Sequence, residues 1–590
     1  MLTPTLALSL GNKALCVATV GPAGAQVIQL GDKRIVPAVI AFTPEGRRYD
    51  IEAAAKRNLC RQTYDSLPLL FGKDPSFLDS PRFRRIQSFL NLPLKVQDGD
   101  IYIELGPDAP PAPFEFAYGS LVKRVLGEAS LQLGWTGTVD IIAPYLPFWP
   151  SHAQARLTAA IECTGYKCLA LYTKHLALGA CLMLKLRQPN SRLGPGFHGI
   201  LDVGEYYSLY AIFQLDTSEV TTMYLNYNVG LGAIDFDIRL ADYFLGKLRA
   251  QGRESLCDLI EASQRQRTKL LHAIKEAKKI LSVNSSANIT LDGVGDAGET
   301  LTISVTQSDF VAMSMDLVSQ YSQLIRAPEL TSRISSLSIT GGGSRIHPIQ
   351  HAVTQVVPSA LITKVLNPDN SVAEGLGCLA LLDQDKYPKK TIPVVRDLCY
   401  RSIYILPCAD DLQLSGPYEV FKTGDHLPAR QSITFTLPPG PIQLKLFDSF
   451  EDNIATYTFV VPKNVLHLAV EVAVSINIQL DRSISIEVAQ VGGPSLNLSR
   501  VWPDPVTSSM FRDMLLKLDA DLTKIEEEAE GYATRINAIC SRLYALKADE
   551  KIDETSRQDV LEALDLLEDG ARIEDSVLVD LEERYGVHTA

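Results

Sequence analysis

Ser338-Ile339-Thr340 runs directly into Gly341-Gly342-Gly343, followed by Ser344, Arg345, Ile346, His347 and Pro348. Three glycines after a β-branched run let the backbone turn sharply and approach a ligand with no Cβ in the way. Arg345 adds a planar guanidinium that can stack on an aromatic base. These are the parts of one half of a nucleotide site. A working site needs a second half, and the rest of the chain must supply it.

The elements that would position such a turn are those of a duplicated α/β architecture. Two strand-like units with glycine punctuation, residues 6–20 and 199–215, each precede helical material, and short β-rich runs alternate with helices over residues 1–383. Residues 384–393 are polar and proline-punctuated, so they read as a linker, less apolar than one meant to dock firmly on a neighbour. From 394 to 495 the period changes to two. Leu468, Val470, Val472, Val474, Ile476, Ile478 and Leu480 alternate with polar or small residues, and Ile484, Ile486 and Val488 repeat the pattern after a short turn. That is a β-sandwich or a small barrel. Beyond Pro503 and Pro505, over 506–590, the period changes again. Phe511, Leu515, Leu518, Leu522, Ile525, Ala529, Tyr532, Ile536, Ile539 and Leu543 form one amphipathic helical stripe, and the apolar residues near 560–567 supply partners for an intramolecular bundle. The acidic run Glu526-Glu527-Glu528 reads as its solvated face.

Composition narrows the class. With 590 residues, 46% hydrophobic and 21% charged, the chain is an ordinary globular protein of about two to four domains. A net charge of −13 argues against a nucleic-acid or anionic-membrane binder. Ten cysteines without tight pairs read as buried thiols of a reducing compartment; Cys163 and Cys168 are the nearest pair and have no histidine pattern beside them to make a zinc site. No apolar run suits a membrane span, and the first residues read as a β-hairpin rather than a signal peptide, so a cytoplasmic protein is expected.

Motifs in order along the chain resemble the heat-shock 70-kDa chaperone superfamily over nearly its whole length. Residues 32–42 resemble the family's first-lobe strand pair, and Ile141-Ile142-Ala143-Pro144-Tyr145 its proline-containing strand. Gln154-Ala155-Arg156 follows as the start of its next helix. Gly230-Leu231-Gly232-Ala233-Ile234-Asp235-Phe236-Asp237 resembles its glycine turn, and Ala277-Lys278-Lys279-Ile280-Leu281-Ser282 its adenosine-side helix. Asn367-Pro368-Asp369 with Val372-Ala373-Glu374-Gly375 resembles the close of its nucleotide domain. The first loop, Ser9 to Cys16, lacks paired threonines, the second has Gly204 alone where the family carries three glycines, and Tyr418-Glu419-Val420-Phe421 is similar to a segment of the exchange factors. These details favour the 110-kDa, nucleotide-exchange branch, in a compact version.

The resemblance implies an actin-like (ribonuclease-H-like, duplicated) nucleotide-binding domain, then a β-sandwich, then an α-helical bundle. It also implies where phosphoryl-transfer groups would stand: carboxylates for Mg²⁺, a lysine for the γ-phosphate and donors around the phosphates. At those places this chain has Ser9, Pro68 and Lys174, leaving Asp202 as the retained catalytic candidate. Losing one strong transition-state contact costs on the order of 10²–10³ in rate, so useful ATP hydrolysis is not expected unless Lys13 or Lys73 substitutes. Glu205 and Tyr206 replace loop glycines, and Lys174 is expected to pair either with Asp202 or with a phosphate. On the binding side the resemblance points to Gly11, Gly204, Gly232, Lys278, Ser282, Gly341, Gly342, Gly343, Arg345 and Asp369, with Lys275 standing where a ribose-binding glutamate is usual. ATP or ADP, with Mg²⁺ left open, are the candidate ligands. The expected function is a co-chaperone that clasps a 70-kDa heat-shock chaperone and speeds release of its adenyl nucleotide. An ATP-driven foldase with ATPase activity, and a nucleotide-free holdase or scaffold that takes unfolded or nascent polypeptide, stand beside it as alternatives.

Overall fold

The computed structural model describes the chain apart from residues 1–3, 22–23, 57–59, 91, 107–108, 296–297, 328, 382–393, 410–411, 414–415, 451, 464–468, 503–504, 550–552, 569–572 and 588–590. The expected linker at 384–393 lies outside the described residues. By contact the chain divides into two compact units, residues 1–41 with 49–516, and residues 42–48 with 517–590.

The larger unit holds the duplication. Its first sheet runs Lys167–Thr173, Asp140–Tyr145, Thr5–Leu10, Ala14–Gly21, Gly24–Val27. Thr5–Leu10 is antiparallel to the strand that follows it and parallel to Asp140–Tyr145. The second sheet repeats this scheme. Gly196–Val203 is antiparallel to Ser208–Leu215 and parallel to Ile334–Thr340, which in turn pairs with Ile362–Thr363. Parallel strands covered on both faces are apolar nearly throughout, and Ile200, Leu201, Val203, Leu209, Ala211, Ile212 and Phe213 are all buried. Two helices, Lys174–Leu186 and Ser371–Ala380, cross between the sheets, and a Cβ on Gly375 would fall 1.7 Å from the Ala177 carbonyl oxygen. Only a residue without a side chain lets these helices approach so closely. The actin-like fold class expected above is the one observed.

Beyond Glu219–Asn228 the second sheet is extended by Val394–Leu398, in parallel register Glu219↔Val394, Val220↔Val395, Thr221↔Arg396. The residues that open the β-rich segment therefore also complete the sheet of the preceding lobe, so firm docking begins just after the polar stretch read as a linker. The sandwich proper faces a sheet built on Ile403–Ala409, Gly440–Asp448 and Asn453–Val461 against one of Ala429–Leu437, Val470–Ile478 and Ile484–Gln490. The period-two reading holds over Val472, Val474, Ile476 and Ile478, which are buried in its core with Phe421, Leu444 and Leu446, whereas Leu480 packs on the core between the first two sheets and Leu468 lies outside the described residues.

In the smaller unit the long helix Pro505–Lys547, from residue 517 on, packs with Glu554–Glu568 and Asp575–Tyr585. Ile539, Leu543, Val560, Leu564, Leu567, Leu578 and Leu581 fill its core, with Tyr532 and Ile536 packed against it, so the C-terminal part of the stripe closes on the chain's own helices. Two expectations need correction. Ile525 is 42% exposed despite its place on the stripe. Glu526 is not part of a solvated face: its carboxylate takes the Arg47 backbone N–H (2.8 Å), Nε (2.7 Å) and Nη2 (2.8 Å). Asp519 (2.5 Å) and Thr523 (3.1 Å) complete the set around Arg47, which is only 4% exposed. Positions 519, 523 and 526 share one helix face, which is why one arginine can meet all three.

Candidate functional site

The loops that end the two duplicated hairpins meet in a cleft. Gly11 lies in the first hairpin loop and Gly204 in the second, and each spends its N–H on closing its own loop, to Ala14 O (3.0 Å) and Tyr207 O (2.9 Å). Donors used this way do not point at a phosphate. With Gly341, Gly342 and Asp369 these loops line a cavity of about 160 Å³, together with Ser9, Lys13, Pro68, Lys174, Glu205 and Tyr207. Pro68 sits in a short 3₁₀ turn, Leu67–Leu70, and presents no donor.

The floor of that cavity is a closed polar triad. Lys174 is the first residue of its helix, and its Nζ stands 2.8 Å from Asp202 Oδ2 and donates to the Tyr207 hydroxyl at 2.8 Å; Tyr207 donates on to Asp202 at 3.3 Å. Burial would pull the ammonium down, but the Asp202 carboxylate and the Tyr207 oxygen beside it hold its pKa well above the ordinary lysine value. Of the two partners expected for Lys174, the structure selects Asp202. Tyr207 was not singled out from the sequence, although it directly follows the altered loop.

Above the triad lies a second network. Glu205 is met by Lys275 Nζ at 3.2 Å and Lys13 Nζ at 3.9 Å, and Lys13 also reaches Asp65 (3.1 Å) and Ser66 (2.8 Å). Burial pushes the Glu205 carboxyl up, but Lys275, Lys13 and Lys278 outweigh it and hold its pKa at about 2. Arg82, across the cleft, donates to Asp235 (2.9 Å) and to the Tyr206 (3.0 Å) and Val229 (2.9 Å) carbonyls. Arg82 belongs to the helix Pro81–Phe89, so the two lobes are tied by the chain's own cations. Lys73, the other substitute considered, stacks on Phe77 at 4.9 Å and does not line the cavity.

The remaining candidates divide. Ser282, Arg345 and Asp369 line a separate groove of about 740 Å³, to which Asp369 and Pro368 connect the cleft cavity. Gly232, Lys278 and Gly343 line neither. Gly232 caps the helix Ala233–Ala250 against the Glu205 carbonyl, Lys278 pairs with buried Asp237 at 2.6 Å, and Gly343 packs on Val203. Gly341 has φ +82, and a Cβ there would lie 2.4 Å from Val203 O and 2.6 Å from Asp202 Oδ1, whereas nothing stands within 4 Å of one at Gly342. Gly341→Ala is therefore expected to cost about 2–3 kcal/mol in a urea melt, and Gly342→Ala no more than about 0.5 kcal/mol. Equal losses at the two positions would contradict the turn geometry.

The fold implies a magnesium nucleotide, and the donor set can be tested against it. Mg²⁺ takes oxygen ligands, usually one or two carboxylates plus phosphates. Among the described residues no group of three acidic, histidine or cysteine side chains converges. Asp202 already has a resident ammonium on one oxygen. Two like unit charges 4 Å apart in a partly buried setting repel by about 4 kcal/mol, so a dication beside Lys174 is strongly opposed. The metal–triphosphate end does not fit, whereas the groove holding Ser282, Arg345 and Asp369 stays open.

Residues 200–398 match the family model described as "Hsp70 protein". The chain is 23% identical to "Heat shock 70 kDa protein 2" of Paracoccidioides lutzii over 367 residues, covering 57% of this chain and 53% of that protein. It is 22% identical to "Heat shock 70 kDa protein" of Neurospora crassa, also over 367 residues, covering 57% and 54% of the two chains. For the "Heat shock 70 kDa protein" of Trichophyton rubrum the identity is 24% over 352 residues, covering 55% and 51%. The chain thus spans about half the length of the curated relatives it matches. Among the described residues no helix is long and apolar enough to cross a membrane. The family match over residues 200–398 and a duplicated sheet whose loops meet in one cleft together support the Hsp70 superfamily for this chain.

Proposed function

We propose that the chain works in a chaperone system without turning over ATP, as a cytosolic co-chaperone of the 110-kDa type that promotes adenyl-nucleotide exchange on a 70-kDa heat-shock chaperone. The observation that carries this reading is the Lys174–Asp202–Tyr207 triad, with Lys174 Nζ 2.8 Å from both partners. It occupies the floor where a hydrolase of this superfamily would organise its metal and water. Catalysis by electrostatic preorganisation requires donors and cations aimed at developing charge, and here the lysine is aimed at the protein's own carboxylate. Arg82 and Lys13 supply ties across the cleft that need no ligand, as suits a rigid body that clasps another molecule.

The expected result is that stoichiometric full-length protein speeds release of a fluorescent ADP analogue from a 70-kDa chaperone at least ten-fold, while the protein alone shows no single-turnover ATP hydrolysis. No acceleration at stoichiometric amounts would sink the exchange reading. Turnover that disappears in Asp202→Ala would support the ATP-driven chaperone instead.

A further inference from the structure

Where the sandwich meets the first lobe, a further cavity carries hydrogen-bond donors that the chain leaves unused. We propose that it is a binding site for a small uncharged carboxamide, an apolar ring bearing a –CONH₂ group, held between the start of the helix Ser151–Glu162 and the turn that contains Arg482.

The cavity measures about 110 Å³. An apolar cavity of about 150 Å³ takes up benzene, so this one, with half-buried Ile454 and Ile484 leaving it open to solvent, suits a single ring whose substituent can extend. Trp149 from the first lobe and Ile403, Ile454, Ile478 and Ile484 from the sandwich form its apolar wall, and Trp149, Ile403 and Ile478 are buried. Of its lining residues only Trp149 also lines the cleft cavity described above, so the two sites are distinct. Apolar walls with a few convergent polar groups at a domain junction are the usual make-up of a small-molecule site.

Its polar wall selects the guest. Arg401, Arg482, Asp448 and Asp452 line it, two charges of each sign, so an ion of either sign meets a like charge as well as an opposite one. Neither arginine has a whole charge to spare, because Arg401 pairs with Asp448 at 2.5 Å and Arg482 with the buried Asp397 at 2.6 Å. The lining carboxylates are served. Asp448 accepts from Arg401 Nη1 and from the backbone N–H groups of Phe450 (2.8 Å) and Asp452 (3.1 Å), and Asp452 accepts from the Ser151 N–H at 3.0 Å. The guanidiniums are not fully served. Arg401 Nη2 donates to the Phe148 carbonyl (3.0 Å) and Arg482 Nη2 to Asp397 and the Leu398 carbonyl, but the Nε of each is buried with no hydrogen-bond partner among the described residues. Buried donors in native proteins are nearly always met. A carbonyl oxygen supplies the acceptor these two N–H groups lack, and the amide nitrogen has carboxylate lone pairs beside it to receive its protons. A hydrocarbon would leave the donors unmet, and a carboxylate or an ammonium would be opposed by half of the wall.

Ligand-observed NMR titration of the full chain with benzamide, benzene, benzoate and benzylammonium tests this. Benzamide is expected to bind with a Kd of about 1 mM or tighter, and each of the other three about five-fold more weakly, the worth of one hydrogen bond. Arg401→Lys keeps the charge that faces Asp448 but has no Nε donor. It is expected to weaken benzamide about five-fold and to leave benzene unchanged, which a loss of packing alone would not do. Ile454→Phe, which fills the cavity from a half-buried position, is expected to weaken every probe by about ten-fold or more with little change in the urea midpoint, and it tests the site even if Arg401→Lys does not fold. The proposal is overturned if benzamide does not bind, if benzene, benzoate or benzylammonium binds as tightly as benzamide, or if Ile454→Phe folds and binds benzamide as the parent does.

Discussion

Replacing Arg482 with methionine is expected to destabilise the larger unit by about 3–5 kcal/mol, the range seen when one partner of a buried ion pair is removed. Arg482 sits in the turn between Val470–Ile478 and Ile484–Gln490 of the sandwich. Its Nη2 donates to Asp397 Oδ2 and to the Leu398 carbonyl, both at 2.6 Å, and its guanidinium lies 4.4 Å over the Tyr400 ring. Asp397 is fully buried and takes His175 Nε2 at 2.9 Å on its other oxygen, while Tyr400 meets Tyr145 hydroxyl to hydroxyl at 3.2 Å. One carboxylate on the added strand thus joins the helix that starts at Lys174 to the sandwich. Removing the arginine leaves that fully buried carboxylate with His175 as its remaining side-chain hydrogen-bond partner among the described residues.

The pH dependence follows from the same carboxyl. Burial opposes its charge, but His175 and Arg482 hold its pKa far below the ordinary aspartate value. A depressed folded-state pKa contributes stability that is fully present above about pH 4, the unfolded value, and that is lost as pH falls below it. In Arg482→Met this acid-side loss of stability should shrink. Adding Asp397→Leu to that variant should recover most of the deficit by removing the stranded charge. Urea midpoints over a range of pH measure all three. A single variant within about 1 kcal/mol of the parent at neutral pH would show that the contact does not hold the sandwich in place.

The second large effect is expected at Lys174. Lys174→Met leaves Asp202, 1% exposed, with Tyr207 as its remaining hydrogen-bond donor, at a cost of about 3–5 kcal/mol. Because the folded-state pKa of Lys174 is raised, its contribution is present below the ordinary lysine pKa and is lost only as pH rises through the folded value. Its deficit should therefore be flat between about pH 6 and 9, unlike the acid-sensitive loss at Asp397. Asp202→Asn in the Lys174→Met background should restore much of the stability, since the amide is neutral. If Lys174→Met instead raised stability or left it unchanged, Lys174 would not be what satisfies the buried Asp202 charge.

How far the sequence carried this picture varies from residue to residue. Gly341 to Gly343 announced a tight strand-to-helix turn, and the turn is there because a left-handed φ and a carbonyl 2.4 Å away leave no room for a side chain. The alternation Val472, Val474, Ile476 marked a half-buried strand because side chains of a strand point to opposite faces in turn. Lys174 was legible as a charge reversal, but whether it faced a carboxylate or a phosphate was not. Glu526 looked like one of three solvated glutamates, since nothing near it in the sequence reveals Arg47, which is 479 positions away.

What the sequence determined by itself is local chemistry and periodicity: where strands and helices run and where a backbone must turn. Those properties depend on residues within a few positions of one another, so spacing alone records them. What only the tertiary structure decided is pairing. His175 meets Asp397 across 222 positions and Arg482 meets it across 85. Lys174 and Asp202 come together because two separate lobes fold their loops into one cleft. A buried charge is satisfied by whichever opposite charge the fold brings within about 3 Å, and chain distance carries no record of that. The glycine turn and the arginine beside it could be read from the chain, whereas the Lys174–Asp202–Tyr207 triad appeared only when the lobes were in place.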